Sequence, residues 1–153
     1  MLIICGIIIS GCLIAASVSD IRTHFVADLV WMITASDVLL LMLSHPLYLT
    51  EVALIEAFVV ILVQENVMSR CYGRADSHAF SCCFLFMAAS GCRLESHIIH
   101  MTLSLIMLTV IQIIKGNIGK GLRLKKPVPF IPYISASFFP FVFIHCFGMK
   151  ILR

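Results

Sequence analysis

The chain has 153 residues, 61% of them apolar and only 12% charged, with a net charge of +3 and a mean hydropathy of +1.06. Soluble domains carry about a quarter charged residues, so this composition excludes an ordinary soluble fold and implies an all-α, polytopic membrane protein. A spanning helix needs roughly 20 apolar residues, which leaves room for a single domain, residues 1–153, built as a bundle of about six transmembrane helices. No basic stripe with interleaved aromatics is present, so nucleic acid is not an expected partner.

The first apolar run, residues 1–18, holds no charge and has no basic residues ahead of it, so it is read as a retained first helix and not a signal peptide. Asp20, Arg22 and His24 follow, and a second span is expected at 25–43, with Asp28 near its start and Asp37 about mid-span. The stretch "SHPLYLTE" (44–51) places Pro46 in a turn. A third span, 52–68, contains Glu56 and Glu65 and is broken by "SRCYGRAD" (69–76). A short fourth span at 78–92 begins with His78. The polar "GCRLESH" (91–97) leads to a fifth span at 97–114, where His97 and His100 are expected at the outer interface. "KGNIGKGLRLKKPVP" (115–129) carries five basic residues, suited to fixing topology, and the last span runs 129–148. The seven cysteines form no CxxC or zinc pattern and lie mostly in apolar runs, where they act as small hydrophobes.

Six spans place connections 19–24, 69–77 and 115–128 on one face. These hold Arg22, Arg70, Arg74, Lys115, Lys120, Arg123, Lys125 and Lys126, against Arg93, Lys150 and Arg153 on the other. Basic residues favour the cytoplasm, so both termini are expected outside.

That orientation brings Asp20, at the end of the first span, and Asp76, at the start of the fourth, to one depth on the cytoplasmic face. Acids beside a membrane core usually mark function. Two carboxylates within hydrogen-bond reach share a proton. The ionised one can take a proton from a bridging water while the neutral one donates to a carbonyl under attack. This is peptide hydrolysis without a covalent intermediate, and it needs no metal or organic cofactor. The helix dipole assigns the proton to Asp20, beyond a helix C-terminus, and the negative charge to Asp76, ahead of a helix N-terminus.

Three segments resemble motifs of the type IV prepilin peptidases. "SDIRTHFVAD" is similar to the family's first-aspartate motif, with Asp20 followed by polar and basic residues that include Arg22. Val26, Ala27 and Asp28 stand where the family has Ile, Pro and Asn. "YGRADSHAF" is similar to its GxGD motif: Gly73 and Asp76 match, and Ala75 replaces the second Gly. "KKPVPFIPYISAS" resembles its Pro-Phe-x-Pro segment through Pro129, Phe130 and Pro132. The resemblance implies a membrane-embedded aspartic endopeptidase of the cell membrane. It would cleave basic leaders from prepilin or pseudopilin proteins at the cytoplasmic face, with Asp20 and Asp76 as the catalytic pair. The family's larger members add a cysteine-paired cytoplasmic domain and N-methylate the product. Methyltransferase activity is not expected of this shorter form.

Two other classes compete. A small proton-coupled transporter would use Asp37 and Glu56 as relay acids. A non-catalytic, pilin-binding relative is suggested by Ala75. His24 and His78 lie close enough to the two aspartates to tune them, and Glu65 is more simply a solvated acid.

Overall fold

The computed structural model describes residues 1–44, 50–116 and 128–147, which are helical with short connections and contain no strand. Pro46, Lys120, Arg123, Lys125, Lys126, Lys150 and Arg153, all used in the sequence reading, lie outside the described residues.

Among the described residues six helices follow one another. Helix α1 is Leu2–Thr23 and α2 is Asp28–Ser44. Helix α3 runs Glu51–Tyr72, with a π-helical stretch at Gln64–Met68. Helices α4, Arg74–Ala89, α5, Leu94–Ile114, and α6, Ile131–Phe147, come next. Three of them, α1, α3 and α5, are long and apolar enough to cross a membrane.

The helix ends have local causes. Helix α1 stops where His24 turns left-handed (φ 52°) and its N–H reaches back to the Asp20 carbonyl at 3.0 Å. Helix α3 starts at Thr50, whose hydroxyl accepts from the Ala53 N–H at 3.2 Å. Gly73 and Gly91 take positive φ on either side of α4. Pro132 sits in the first turn of α6, where its missing N–H costs no helical hydrogen bond.

Two boundaries differ from the sequence reading in a way that moves the site. Helix α1 continues past residue 18 because nothing in "SDIRT" breaks it, so Asp20 is on the last turns of the helix rather than after it. Helix α4 starts at Arg74, so Asp76 lies within its first turn rather than ahead of it.

Helix α4 is the hub. It packs against α2, α3, α5 and α6, and most of its residues from Ser77 to Ala89 are buried. At 16 residues it is about 24 Å long. Helix α6 lies against α1 and α5.

Apolar side chains cover the outside as well as filling most of the core, and polar ones are buried among them. Large apolar side chains such as Ile7, Met32, Ile55, Ile98 and Ile113 point outward, whereas Thr34, Gln64, Ser77, His97, His100, Ser104, Gln112 and Ser135 are buried. Interior polar groups join helices. Ser17 and Ser135 hydroxyls pair at 2.9 Å between α1 and α6, and Ser104 and Ser137 at 2.6 Å between α5 and α6. Such bonds suit helix association where the hydrophobic effect between helices is weak. At Gly6 an added Cβ would lie 2.8 Å from Cys146 Sγ and 3.1 Å from Val142 Cγ1, so the missing side chain lets α1 approach α6.

Candidate active site

Helices α1, α3 and α5 end where α2, α4 and α6 begin, and the site forms at that end. Asp20 is reached there by the start of α6. The backbone N–H of Ile131, the first residue of the helix, donates to Asp20 Oδ2 at 3.3 Å. A helix N-terminus presents free N–H groups and a positive dipole end, both favourable to a carboxylate. The Pro129–Pro132 segment delivers this contact. Between its two prolines, Phe130 is buried against Tyr72 and Phe80, with ring centroids 5.9 and 5.7 Å away.

Asp76 is set by the α3–α4 junction. Gly73 holds φ 114° and ψ 159°, a region that is essentially glycine-only. Ser77 N–H then bonds back to the Gly73 carbonyl at 3.1 Å and begins α4. Ala75 lies in the helix; among described non-glycine residues only His24 has positive φ. The turn's demand for glycine therefore falls on Gly73, which the chain keeps, and not on position 75.

The two carboxylates act on each other. Asp76 precedes the apolar segment of α4, and burial pushes its carboxyl up to about 7, with the charge on Asp20 adding to the rise. Burial raises the Asp20 carboxyl as well, against the Ile131 N–H, so the pair holds one proton between its two carboxyls. The dipoles of α1 and α4 alone place the proton on Asp20; the N-terminus of α6, a third helix end, favours negative charge there. No local pattern around Asp20 reveals that third helix end.

A polar layer lies behind Asp76. The π stretch of α3 turns Gln64 and Glu65 toward α4. The Gln64 carbonyl accepts from the Ser77 hydroxyl at 2.5 Å, and its side-chain oxygen accepts from the Tyr72 hydroxyl. Glu65 Oε1 lies 3.0 Å from His78 Nδ1 and accepts from the Ser81 hydroxyl at 2.9 Å. Glu65, expected to be a solvated acid, is only partly exposed and tied into the site by two residues of α4. The sequence signal was the acid's neighbour Gln64, an uncharged polar residue that membrane helices turn inward.

Other candidates sit elsewhere or on the margin. Arg22 and His24 are exposed at the end of α1, and neither pairs with Asp20; His78–Glu65 is the one ion pair within 4 Å among the described residues. Asp28 is exposed at the start of α2 and borders a groove of about 370 Å³ shared with His78 and Ser81. Asp37 is buried, and its carbonyl lies 3.8 Å from Cys5 Sγ, so it belongs to the α1–α2 contact. Glu56 lines a cavity of about 610 Å³ at the opposite end, with Arg93 and Glu95. His97 and His100 are not interfacial: they are 2% and 0% exposed, packed among Phe80, Phe84 and Phe138. His100 Nε2 meets the Ile134 carbonyl at 3.1 Å, whereas both nitrogens of His97 lack a hydrogen-bond partner. Among the described residues no group of three or more His, Cys, Asp or Glu side chains is placed to hold a metal ion.

Comparison with known proteins gives no significant match, whether to a protein-family model, a curated protein or a solved structure.

Proposed function

We propose that this chain is a multi-pass membrane aspartic endopeptidase that removes the leader of type IV prepilin-like proteins, with its site at the cytoplasmic face and both termini outside. The observation that carries the reading is the convergence of three sequence-distant segments: Asp20, the Gly73–Asp76 turn and the Pro-Phe-x-Pro start of α6. These are the segments that resemble the prepilin-peptidase motifs. Exposed apolar side chains around an interior that holds buried polar groups support membrane residence.

In this reading a water lies between the carboxylates. Asp20 takes its proton as the oxygen attacks the scissile carbonyl, and Asp76 gives its proton to the carbonyl oxygen. Collapse of the gem-diol returns a proton to Asp76, breaks the C–N bond and passes the Asp20 proton to the leaving amine. The Ile131 N–H favours the ionised form of Asp20 before attack.

The test is leader cleavage in membranes containing the full chain and a panel of prepilin-like proteins, followed by mass. Wild type is expected to cleave, and Asp20→Asn and Asp76→Asn each to abolish cleavage with expression intact. Cleavage that survives both substitutions discards the pair. A second reading, a proton-coupled transporter, is favoured by the buried Asp37, His97 and His100, which retain unpartnered polar atoms. It requires proton flux in sealed vesicles that Asp37→Asn removes.

A further inference from the structure

Helices α2 and α3 both lean on α4 but pack little against each other. The space between them is the groove of about 370 Å³, open sideways and floored by α4. Its walls are apolar: Trp31, Met32 and Ala35 from α2, Ile61 from α3 and Leu85 from α4. Polarity is confined to the Asp20–Asp76 end, where Asp28 and Ser81 border it with His78, and Glu65 lies behind, held by His78 and Ser81. Neither Lys nor Arg lines it.

An apolar slot that opens sideways and carries Asp28 at one mouth, with Glu65 behind it, matches an apolar helix with a cation at that end. The geometry points to this groove as the dock for the substrate's membrane helix, with Asp28 and Glu65 receiving the positive charge that flanks it. The inference rests on the peptidase reading and deepens it. It assigns substrate selection to the α2–α4 face, whereas the chemistry faces α1 and α6. Asp76 and His78, two residues apart on α4, then serve different tasks on different sides of one helix.

The test uses the full chain carrying Asp76→Asn, which binds without turnover, in membranes with a single-pass prepilin-like protein. A photo-crosslinking residue replaces Met32 or Ile61 in the groove, or Ile7 or Val110 on other outward faces. Substrate adducts are expected from the first two positions and not the last two. They are expected to fall several-fold when Asp28→Asn and Glu65→Gln are combined, or when the leader's Lys and Arg become Gln. Equal adducts from all four positions, adducts to lipid or to a second copy alone, or indifference to both charge changes would overturn the dock. Wild-type cleavage in parallel separates the two claims. Cleavage without groove adducts rejects the dock and keeps the peptidase; groove adducts without cleavage do the reverse; neither signal rejects both.

Discussion

Replacing Gly73 by Ala tests whether the turn before α4 depends on glycine at that position. Gly73 adopts φ 114° and ψ 159°, where a Cβ strains the backbone whatever space surrounds it. The space itself is adequate, because the nearest side-chain atom to an added Cβ is Asp76 Oδ2 at 3.5 Å, an ordinary contact. The penalty is therefore the backbone term alone, about 1–3 kcal/mol. For a chain of this size each kcal/mol shifts the unfolding midpoint by about 2–4 °C. Because the strained residue leads into the first turn of α4, relaxation moves Asp76 relative to Asp20, and cleavage is expected to fall along with stability. Ala75→Gly is the matched control. It completes the GxGD pattern, yet position 75 is helical, so the change costs about 0.5–1 kcal/mol and brings no gain in cleavage. Both variants are read by thermal unfolding in detergent and by leader cleavage. If Gly73→Ala is neutral in both assays while Ala75→Gly raises cleavage, the assignment of the glycine requirement to position 73 is wrong.

Other outcomes follow from the same geometry. The folded carboxyl of Asp76 is raised to about 7, so its contribution to stability is complete below the unfolded value near 4 and is lost as pH rises through about 7; Asp76→Asn should flatten that slope in pH-dependent unfolding. Cleavage should decline above about pH 7, where the pair loses its shared proton; a rate unchanged to pH 9 would contradict the acid role. Asp20→Asn removes the neighbouring charge, so the Asp76 carboxyl band in infrared titration should move to lower pH. Gly6→Ala should cost about 1–3 kcal/mol by overpacking α1 against α6, and Cys146→Ala in the same chain should recover part of it; equal losses in the single and double variants would refute the contact.

The sequence made the helices and the ends of the acids legible because both depend on local features. Apolar runs mark the helices, and Asp20 and Asp76 fall near their boundaries. The three-way meeting with the start of α6 was legible only through motif resemblance, since Ile131 contributes a backbone N–H that any residue but proline could supply. The burial of His97 and His100 was available in principle. With Ser104 they recur at three- and four-residue steps, one face of α5, and in an apolar helix the polar face turns inward. Reading them as interfacial gave weight to their depth and ignored that periodicity. The contact of Asp20 with the N-terminus of α6 was not legible from its neighbours, because that helix lies more than a hundred residues away in the chain.

The π stretch at Gln64–Met68 sets a constraint on length rather than on chemistry. One residue subtends about 100° of an α-helix, and π turns arise at single points where the winding is locally widened. Upstream of that point, α3 presents Ile55, Phe58 and Leu62 outward; downstream, it brings Tyr72 onto Phe80 and hands over to Gly73. The widened turn thus changes the helix's phase between two surfaces with unrelated requirements. Removing any one residue there would leave composition and hydropathy almost untouched, yet it would rotate the whole Asp76 turn away from α1. Variation that preserves residue number in this short stretch should be tolerated far better than variation that alters it by one.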